Sequence, residues 1–518
     1  MRYSKSAKHG FGGQSESEDR NPKTDLFQSS YTESQALALF TEGRLQEAAP
    51  MLRKLIKSGN RNHTVYGCLA LIYGQEGNIR MLTDLTRKAI ELNPRYAEGY
   101  YNLGLAMQSK GHKEKAISYY NKAISIKQDF FEAHYNQGIA WHESGELGKA
   151  INSYNMAIGI NQEHPGSHNN LGNTWLEKGD LLEAMTWYRK AISLDGDYAD
   201  AHFNLSFALL LWGDYNRGWR EYEWRSRRRV NPILPIVQPA TRPWSSKKDK
   251  KTTKLLLIAE QGLGDTIQFM RYAIELRNKG IDVYLCADQK LEALIKASNI
   301  GATYISPAEA KEISDFEWAS LLSVPGHLGV HPGNPIIEQP YLSAPQDLCS
   351  KWKKKLEKEK RPIIGINWQG NPSHENLYSR GRSLPLESFS SIVQSVNASL
   401  VSLQKGFGSE QFNACSFKDQ FVECQNEISD TWCFLETAAI IANCDVVITS
   451  DTVIAHIAGG MGKTTWLLLS KVPDWRWGLS GNRTFWYQQI RLFRQAKKGD
   501  WDSVLEEITC SLHQRFKI

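Results

Sequence analysis

The sequence feature that most constrains this chain is an internal repeat of 34 residues. A short Asn-x-Gly or Asn-x-Ser step recurs at that interval, beginning at Asn102, Asn136, Asn170 and Asn204. Glycines keep the same interval, at Gly111, Gly145, Gly179 and Gly213. A glycine can take the positive φ that ends a helix, so each is predicted to close the first helix of a hairpin. One such hairpin cannot bury its apolar face alone, and the chain must therefore stack several hairpins into an α-solenoid.

This pattern resembles the tetratricopeptide repeat. Two weaker copies precede the clear ones, at about 33–58 and 63–94, so we expect about six hairpins between residues 31 and 230. The last hairpin is rich in aromatic residues, among them Tyr215, Trp219 and Tyr222. These aromatics are predicted to seal the stack against the domain that follows.

The repeated asparagines give a hypothesis for the inner groove of the stack. They should occupy equivalent positions on the first helix of successive hairpins, where their amides would hold an extended peptide: Asn102, Asn136, Asn170 and Asn204. A similar asparagine ladder grips substrate in the O-linked N-acetylglucosamine transferase family, which also joins such repeats to a glycosyltransferase. The alternative is that asparagine is common at this position in tetratricopeptide repeats, where it only caps a helix or is solvated.

Length and composition favour a multidomain protein of the reducing cytoplasm. A chain of 518 residues is too long for one core and suggests about three folded units. No apolar stretch approaches the roughly 20 residues that cross a bilayer. Residues 1–30 are predicted to be a disordered tail, because the segment begins polar and rich in glycine and serine and lacks the apolar core of a secretory signal. The eight cysteines form no C-x-x-C pair, which favours a cytoplasmic localisation.

Basic residues are concentrated in three runs, Arg225–Arg229, Lys247–Lys254 and Lys351–Arg361. Such runs are typical of linkers or of exposed helix faces. No aromatic and basic recognition motif accompanies them. Nucleic acid is therefore not an expected partner.

An α/β pattern begins after the repeats. Lys254–Ala259 is a continuous apolar run, typical of a buried parallel strand. Gly262 and Gly264 permit a tight turn into a helix that starts near Asp265. Gly280–Cys286 then has the pattern of a second strand. The segment predicts a β-α-β unit whose crevice lies at the carboxyl ends of the strands.

A second α/β unit follows, with predicted strands at Pro362–Trp368, Ser399–Leu403 and Cys444–Ser450. The last strand runs directly into a helix whose first part carries Asp451, Thr452 and His456. The free amides and the positive dipole end at the start of such a helix favour a diphosphate. The pattern is suited to a nucleotide-sugar.

Several motifs of this half of the chain carry a family resemblance. They are EQGLGDTIQFMRY, INWQGNP, the RS-x-P-L step at Arg382–Leu386, SDTVIAHIAGGMGK, PDWRWG, WYQQIRLFRQ and GDW. Together they resemble the C-terminal part of bacterial tetratricopeptide proteins related to the heptosyltransferase-like glycosyltransferases. The resemblance implies a GT-B fold of two Rossmann-like domains, at residues 254–345 and 346–518, joined to the repeats by a linker at 231–253. It also implies metal-independent transfer from a nucleotide-sugar co-substrate, with no metal and no other cofactor.

The resemblance assigns roles to individual residues of this sequence. Asp265 matches the aspartate of the glycine-rich first turn, the expected base on the acceptor hydroxyl, although it could instead only cap its helix. The expected donor-binding residues are Gly262, Gly264, Arg382, Asp451, Thr452 and His456. His456 could equally be a satisfied core residue, and the loop around Arg382 differs from the family pattern.

Several other residues of the α/β part allow two interpretations. Three of them follow a strand end and either touch the nucleoside or are only exposed loop residues: Gln404, Lys405 and Glu410. Trp475–Trp477 is expected to pack between domains, although one residue of it could shape the sugar pocket. Neither Asp-x-Asp sequence, at Asp195 or at Asp500, has the strand-end position typical of metal-dependent transferases.

The sequence thus leads to one favoured function and one alternative. The favoured function is a glycosyltransferase that moves a sugar from a nucleotide-sugar donor to a protein or saccharide acceptor, with the repeat groove recruiting an acceptor or partner. The alternative is a non-catalytic repeat scaffold with a degenerate nucleotide-binding domain. The expected partners are the donor and a protein or peptide in the groove, with no nucleic acid and no integral membrane segment.

Overall fold

The computed structural model describes residues 22–244, 253–260, 262–336, 340–372, 375 and 381–517. These residues form two compact units, one ending at Gln162 and one beginning at Glu163. Helix α1 begins at Pro22, so the prediction that residues 22–30 belong to a disordered tail is wrong. Proline suits this place because the first helical residue needs no amide donor. The predicted tail at 1–21 and the linker residues 245–252 lie outside the described residues.

The first unit is a series of helical hairpins. Its helices are α1 (Pro22–Thr41), α2 (Leu45–Lys57), α3 (His63–Gln75), α4 (Ile79–Leu92), α5 (Ala97–Ser109), α6 (Lys113–Ile126), α7 (Phe131–Glu143) and α8 (Leu147–Ile160). Gly111 and Gly145 lie in the turns after α5 and α7 with φ of 76° and 78°. The predicted role of these glycines in closing the first helix of each hairpin is confirmed.

In three hairpins a glycine on the first helix gives room to a tyrosine of the second, in the pairs Gly104 with Tyr120, Gly138 with Tyr154 and Gly172 with Tyr188. A methyl group at Gly138 would lie 2.6 Å from the ring of the buried Tyr154. We therefore expect Gly138→Ala to lower the free energy of unfolding of the first unit by about 1–3 kcal/mol. Gly159→Ala in the same hairpin meets nothing within 4 Å and is expected to raise it by about 0.5–1 kcal/mol. Urea unfolding followed by circular dichroism compares the two variants, and equal effects of the same sign would contradict the prediction.

The second unit begins with two further hairpins, α9 (Pro165–Lys178), α10 (Leu181–Leu194), α11 (Ala199–Trp212) and α12 (Tyr215–Tyr222). The aromatics of α12 contact the α/β part of the unit. The Trp219 ring centroid lies 5.3 Å from that of Trp475, and its indole N–H donates to the carbonyl oxygen of Val330 at 2.9 Å. Tyr215 meets Phe485 edge to face at 5.4 Å. The predicted sealing role is confirmed, and these contacts explain why the last hairpins share one compact unit with the α/β part rather than ending a separate domain at 230.

The α/β part has two lobes, and the N lobe (residues 253–336) holds a parallel sheet. Its strands are β1 (Lys254–Ile258), β2 (Asp282–Cys286), β3 (Ala302–Ile305) and β4 (Glu317–Ser320), in the order β3-β2-β1-β4. Its helices are α13 (Leu263–Phe269), α14 (Tyr272–Asn278), α15 (Glu292–Ala297), α16 (Pro307–Glu312) and α17 (Val324–Leu328). In β1 every residue after Lys254 is buried, which accounts for the apolar run in the sequence.

The C lobe (residues 340–517) holds a second parallel sheet, in the order β6-β5-β7-β8-β9. Its strands are β5 (Ile363–Asn367), β6 (Ser399–Ser402), β7 (Val446–Ser450), β8 (Thr465–Leu469) and β9 (Ile490–Arg494). Its helices are α18 (Gln346–Lys355), α19 (Ser390–Ser395), α20 (Gln425–Asp430), α21 (Phe434–Ala442), α22 (Val453–Gly460) and α23 (Asp502–Phe516). In open sheets of this kind, ligands bind outside the carboxyl ends of the strands.

No helix in the described part of the chain has both the length and the apolar character that a bilayer crossing requires.

Candidate functional site

The helices that follow β1 and β7 meet between the two lobes. A methyl group at Gly264 in α13 would lie 2.9 Å from the His456 ring of α22 and 3.7 Å from Cα of Val453. Only a residue without a side chain permits this approach. Gly262 takes a φ of 85°, and a methyl group there would lie 2.5 Å from the Asp265 carboxylate. The two glycines therefore bring the start of α13 against the start of α22.

Asp265 faces a buried arginine of the opposite lobe. Its Oδ1 accepts a hydrogen bond from Nη2 of Arg476 at 2.5 Å. Nη1 of Arg476 donates to Asp474 at 2.8 Å, and Nε donates to the side-chain oxygen of Gln268 at 2.6 Å. Burial opposes the charge of Arg476, but Asp474 and Asp265 outweigh it and raise its pKa. The guanidinium is thus held charged between the lobes. We call Asp265, Arg382, Asp451, His456 and Arg476 the interlobe site.

Two carboxyl groups of the interlobe site have unusual pKa values. Burial, followed by the charges of Asp474 and Glu260, raises the pKa of Asp265 to about 6, although Arg476 partly offsets the shift. Burial and the charge of Asp474 raise the pKa of Asp451 to about 6 as well. The Asp265 side chain keeps 30% of its surface accessible, so its carboxylate can still be reached from solvent. A carboxylate with a pKa near 6 is a better proton acceptor than an ordinary aspartate.

The raised pKa of Asp265 gives a prediction about stability. Its folded-state pKa lies above the unfolded value of about 3.9, so the folded protein binds more protons between about pH 4 and pH 6 and loses stability as the pH rises through this window. Asp265→Asn removes this cost. We expect the variant to be stabilised by on the order of 1–2 kcal/mol above about pH 6 and to lose the gain as the pH falls towards about 4. Thermal melts of both proteins across this range measure the difference, and a gain that grows at low pH would refute it.

The start of α22 is tied to the ends of two neighbouring strands. Thr452 caps the helix, because its hydroxyl oxygen accepts from the amide of Ile454 at 3.4 Å. The same hydroxyl donates to the side-chain oxygen of Asn367 at 2.7 Å. The Asn367 amide donates to Gln404 at 2.8 Å, and Gln404 also accepts from the amide of Gln369 at 3.0 Å. Gln404 is only 5% exposed, and these bonds join the loop after β6 to the loop after β5.

Arg382 lies against the start of α22 from another side. Its Nη1 donates to the carbonyl oxygen of Asp451 at 3.0 Å. Its Nε is shielded from solvent and has no hydrogen-bond partner among the described residues, with Glu375 at 3.9 Å. A methyl group at Gly370 would lie 2.7 Å from its Nη2. The structure therefore brings Arg382 together with the backbone of Asp451, and their contact with a donor stays a prediction.

His456 is a buried residue with a defined partner. Its Nδ1 lies 2.8 Å from the hydroxyl of Tyr487, and its ring stacks on Trp477 with centroids 5.7 Å apart. Burial, followed by the charges of Arg476 and Arg271, lowers its pKa well below the ordinary value. The imidazole is therefore neutral at physiological pH. These surroundings match the open alternative of a satisfied core residue, and its contact with the donor stays a prediction.

The four repeated asparagines have different environments. Asn102 and Asn204 are 1% and 5% exposed, whereas Asn136 and Asn170 are half-buried. The Asn136 amide donates to the hydroxyl of Tyr101 at 3.0 Å, and the Asn204 amide donates to Asn169 at 2.8 Å. Each of these two amides thus connects neighbouring helices within its own compact unit. A role in holding a peptide stays a prediction.

Sequence reasoning missed two arginines. Arg225 was expected in an exposed basic run, but it is 2% exposed and forms a two-pronged ion pair with Glu260, at 2.9 and 3.2 Å. This prediction was wrong because exposure was inferred from the charge of the neighbours. Arg476 was expected to pack between domains or, as one residue of Trp475–Trp477, to shape the sugar pocket, but its hydrogen bond to Asp265 was not foreseen. Its place between two tryptophans, 475 and 477, gave the only local signal of burial.

The family models that match this chain are models of tetratricopeptide repeats. The family model for a tetratricopeptide repeat matches residues 97–130, and a second model for a TPR repeat matches residues 172–213. The helical hairpins are tetratricopeptide repeats. The chain is also 21% identical over 333 residues to Protein FlbA of Caulobacter vibrioides. That match covers 59% of this chain and 53% of FlbA, so the chain spans about half the length of the curated relative it matches.

Solved structures of repeat proteins are similar to part of the chain. A crystal structure of MamA is 26% identical and covers 32% of this chain and 96% of its own, with a TM-score of 0.29. A structure of YrrB, described as a TPR protein with an unusual peptide-binding site, is 19% identical, covers 35% and 96%, and has a TM-score of 0.30. A thermophilic TPR protein of Thermus thermophilus is 22% identical, covers 35% and 99%, and has a TM-score of 0.30.

Proposed function

We propose that this protein is a metal-independent glycosyltransferase of the GT-B type that uses a nucleotide-sugar donor. The observation that carries the proposal is the meeting of Asp265 on the N lobe with Arg476, Asp451 and Arg382 on the C lobe. A carboxylate and two arginines converge where two strand-to-helix turns approach each other. Such a place suits a reaction in which a hydroxyl group loses a proton and a diphosphate leaves.

The proposed reaction moves one proton and one electron pair. The acceptor hydroxyl oxygen attacks the anomeric carbon of the sugar, and its proton passes to the Asp265 carboxylate. The bond between the anomeric carbon and the phosphate oxygen breaks, and its electron pair stays on the departing diphosphate. Arg382 and the amides at the start of α22 stabilise that charge. Arg476 exchanges its bond to Asp265 for the diphosphate, which frees the carboxylate to accept the proton.

Two exposed aromatic residues beside the C-lobe sheet support the proposal of a nucleotide donor. Phe407 and Trp432 are 56% and 72% exposed. A methyl group at Gly406 would lie 3.9 Å from the Trp432 ring, so the two loops adjoin. Both loops lie near Gln404, at the end of β6. Aromatic faces of this kind stack on nucleobases, and we assign this pair to the base of the donor.

We propose that the repeats recruit the acceptor or a partner protein. Tetratricopeptide repeats present a concave surface suited to a peptide. The proposed contacts are the half-buried asparagines, Asn136 within the first unit and Asn170 within the second. The acceptor is then a protein or a saccharide carried by one.

Three contacts favour the scaffold as a second candidate. Asp265 is already neutralised by Arg476, and Thr452 already bonds Asn367. Helices α13 and α22 are in direct contact at Gly264 and His456. A protein in which these contacts persist would bind a nucleotide or a partner without transferring a sugar.

Donor turnover separates the two candidates. The full chain is incubated with UDP-, ADP-, GDP- and dTDP-sugars, and release of the free nucleoside diphosphate is measured beside binding by calorimetry. The glycosyltransferase proposal expects one donor to bind and to release its diphosphate, with weaker binding after Arg382→Gln or Trp432→Ala. Lys311→Gln, an exposed change on the N lobe, is the matched control. Binding without release across the whole panel would support the scaffold.

A further inference from the structure

A polar cavity of about 340 Å³ lies in the C lobe away from the interlobe site. It opens where β8 and β9 begin, whereas the interlobe site lies where β7 ends, so a strand length of roughly 16 Å separates them. The cavity is lined by Arg483, Arg491 and Arg515, together with Thr464, Gln489 and Gln514. Its volume falls at the lower end of the range of about 300–1,000 Å³ for small-molecule pockets.

The positive charges of this cavity are poorly compensated. Arg491 pairs with Glu507 at 3.0 Å, and Glu507 is half exposed. Among the residues that the structure describes, neither Arg483 nor Arg515 forms an ion pair. Arg515 donates to the Thr464 hydroxyl at 3.0 Å, and Arg483 donates to the carbonyl oxygen of Gln488 at 3.3 Å. Three like charges around one cavity repel each other, and an anion inside it removes that repulsion.

One donor of the cavity is buried without a partner. The Nε of Arg491 is shielded from solvent and makes no hydrogen bond within the described chain. A buried polar group in this state costs free energy unless a ligand or water completes it. Guanidinium groups match the tetrahedral oxygens of phosphate with paired N–H donors, and the glutamines and the threonine add neutral partners for further oxygens.

We propose that this arginine cavity binds a small phosphate-bearing anion. The site is independent of the glycosyltransferase proposal, because it shares no residue with the interlobe site. The phosphate group belongs either to a free metabolite or to a lipid headgroup. Arg483, Arg491 and Arg515 surround it, and the remaining volume holds the group that carries the phosphate.

Calorimetric titration of the full chain with inorganic pyrophosphate tests the proposal. Arg483→Gln and Arg515→Gln are each expected to weaken binding at this cavity about tenfold or more, and the double variant to leave at most the binding that requires Arg382 in the interlobe site. Both side chains are exposed, so the variants should melt at the wild-type temperature. Arg87→Gln, an exposed arginine of the first unit, is the matched control and should bind like wild type. No binding by the wild type, or unchanged binding by the double variant, would overturn the proposal.

Further experiments locate the bound anion and identify its source. Arg382→Gln should leave this binding intact, and its loss in that variant would place the anion in the interlobe site and refute the proposal. Anomalous scattering from crystals soaked in tungstate should show a peak among the three arginines. Sedimentation with phosphatidylcholine vesicles, with and without phosphatidylglycerol, distinguishes the sources. Co-sedimentation that is lost in the double variant indicates a headgroup, whereas binding of pyrophosphate alone indicates a free anion.

Discussion

Replacing Asp265 by asparagine is expected to lower the rate of sugar transfer by about 10²–10⁴-fold, while binding of the donor changes much less. Asparagine keeps the size of the side chain but cannot accept the proton of the acceptor hydroxyl. The rate of the wild type should rise with pH through about 6, because the carboxylate must be ionised to act as a base. Initial rates over a range of pH, with the donor saturating, measure both effects.

The controls for this prediction separate chemistry from folding. Asp282 is an exposed aspartate of the same lobe, so Asp282→Asn matches the change in charge and should keep the wild-type rate. Asp265→Asn should also melt at or above the wild-type temperature at about pH 7.5. The raised pKa of Asp265 means that ionising this carboxyl group costs stability in the wild type, and the variant avoids that cost. A stable Asp265→Asn variant with an undiminished rate would remove Asp265 from the mechanism.

The regular parts of the fold were predictable from local sequence. Parallel strands are buried on both faces, so the apolar runs at 254–259 and 444–450 identified β1 and β7 within two residues of their ends. The hairpins were predictable because only glycine ends a helix with a positive φ at little cost. Gly179 and Gly213 adopt φ of 94° and 97°, as the 34-residue interval required.

The approach of two strand-to-helix turns could be predicted, but not the cations that join them. Asp265 and Asp451 both follow a strand end, and in sheets of this kind such positions border the ligand crevice. Arg476 meets Asp265 across 211 residues of chain. No periodicity encodes a contact of that separation. The sequence showed a buried position between two tryptophans, and only the packing of the lobes reveals the carboxylate opposite it.

The end of the predicted disordered tail was misjudged for a related reason. A polar composition favours disorder, but it does not exclude a helix that continues an amphipathic one. Helix α1 runs from Pro22 into the buried positions Ala36 and Leu39, which pack in the core of the first hairpin. Tertiary contacts at one end of a helix extend order into a polar segment at the other.

The second large effect is expected at the ion pair between the last repeat and the N lobe. Arg225 and Glu260 have side chains that are 3% and 1% exposed, and Glu260 also accepts from the amide of Leu322 at 3.2 Å. Arg225→Met leaves the carboxylate of Glu260 buried without its cation. We expect a loss of about 3–5 kcal/mol in the free energy of unfolding of the second unit. Urea unfolding followed by tryptophan fluorescence reports on this unit, because every tryptophan except Trp141 lies in it.

Variants of the same pair distinguish a lost ion pair from lost packing. Arg227→Met changes a neighbouring exposed arginine in the same way, and it should cost no more than about 1 kcal/mol. The double variant Arg225→Met with Glu260→Gln removes both charges and should recover much of the stability that Arg225→Met loses. The destabilisation of the double variant is compared with the sum of the destabilisations of Arg225→Met and Glu260→Gln. If the two values were equal, the two charges would not be coupled. Glu260 directly precedes the turn that carries Gly262 and Asp265, so the same pair fixes the last repeat to the strand that presents the proposed base.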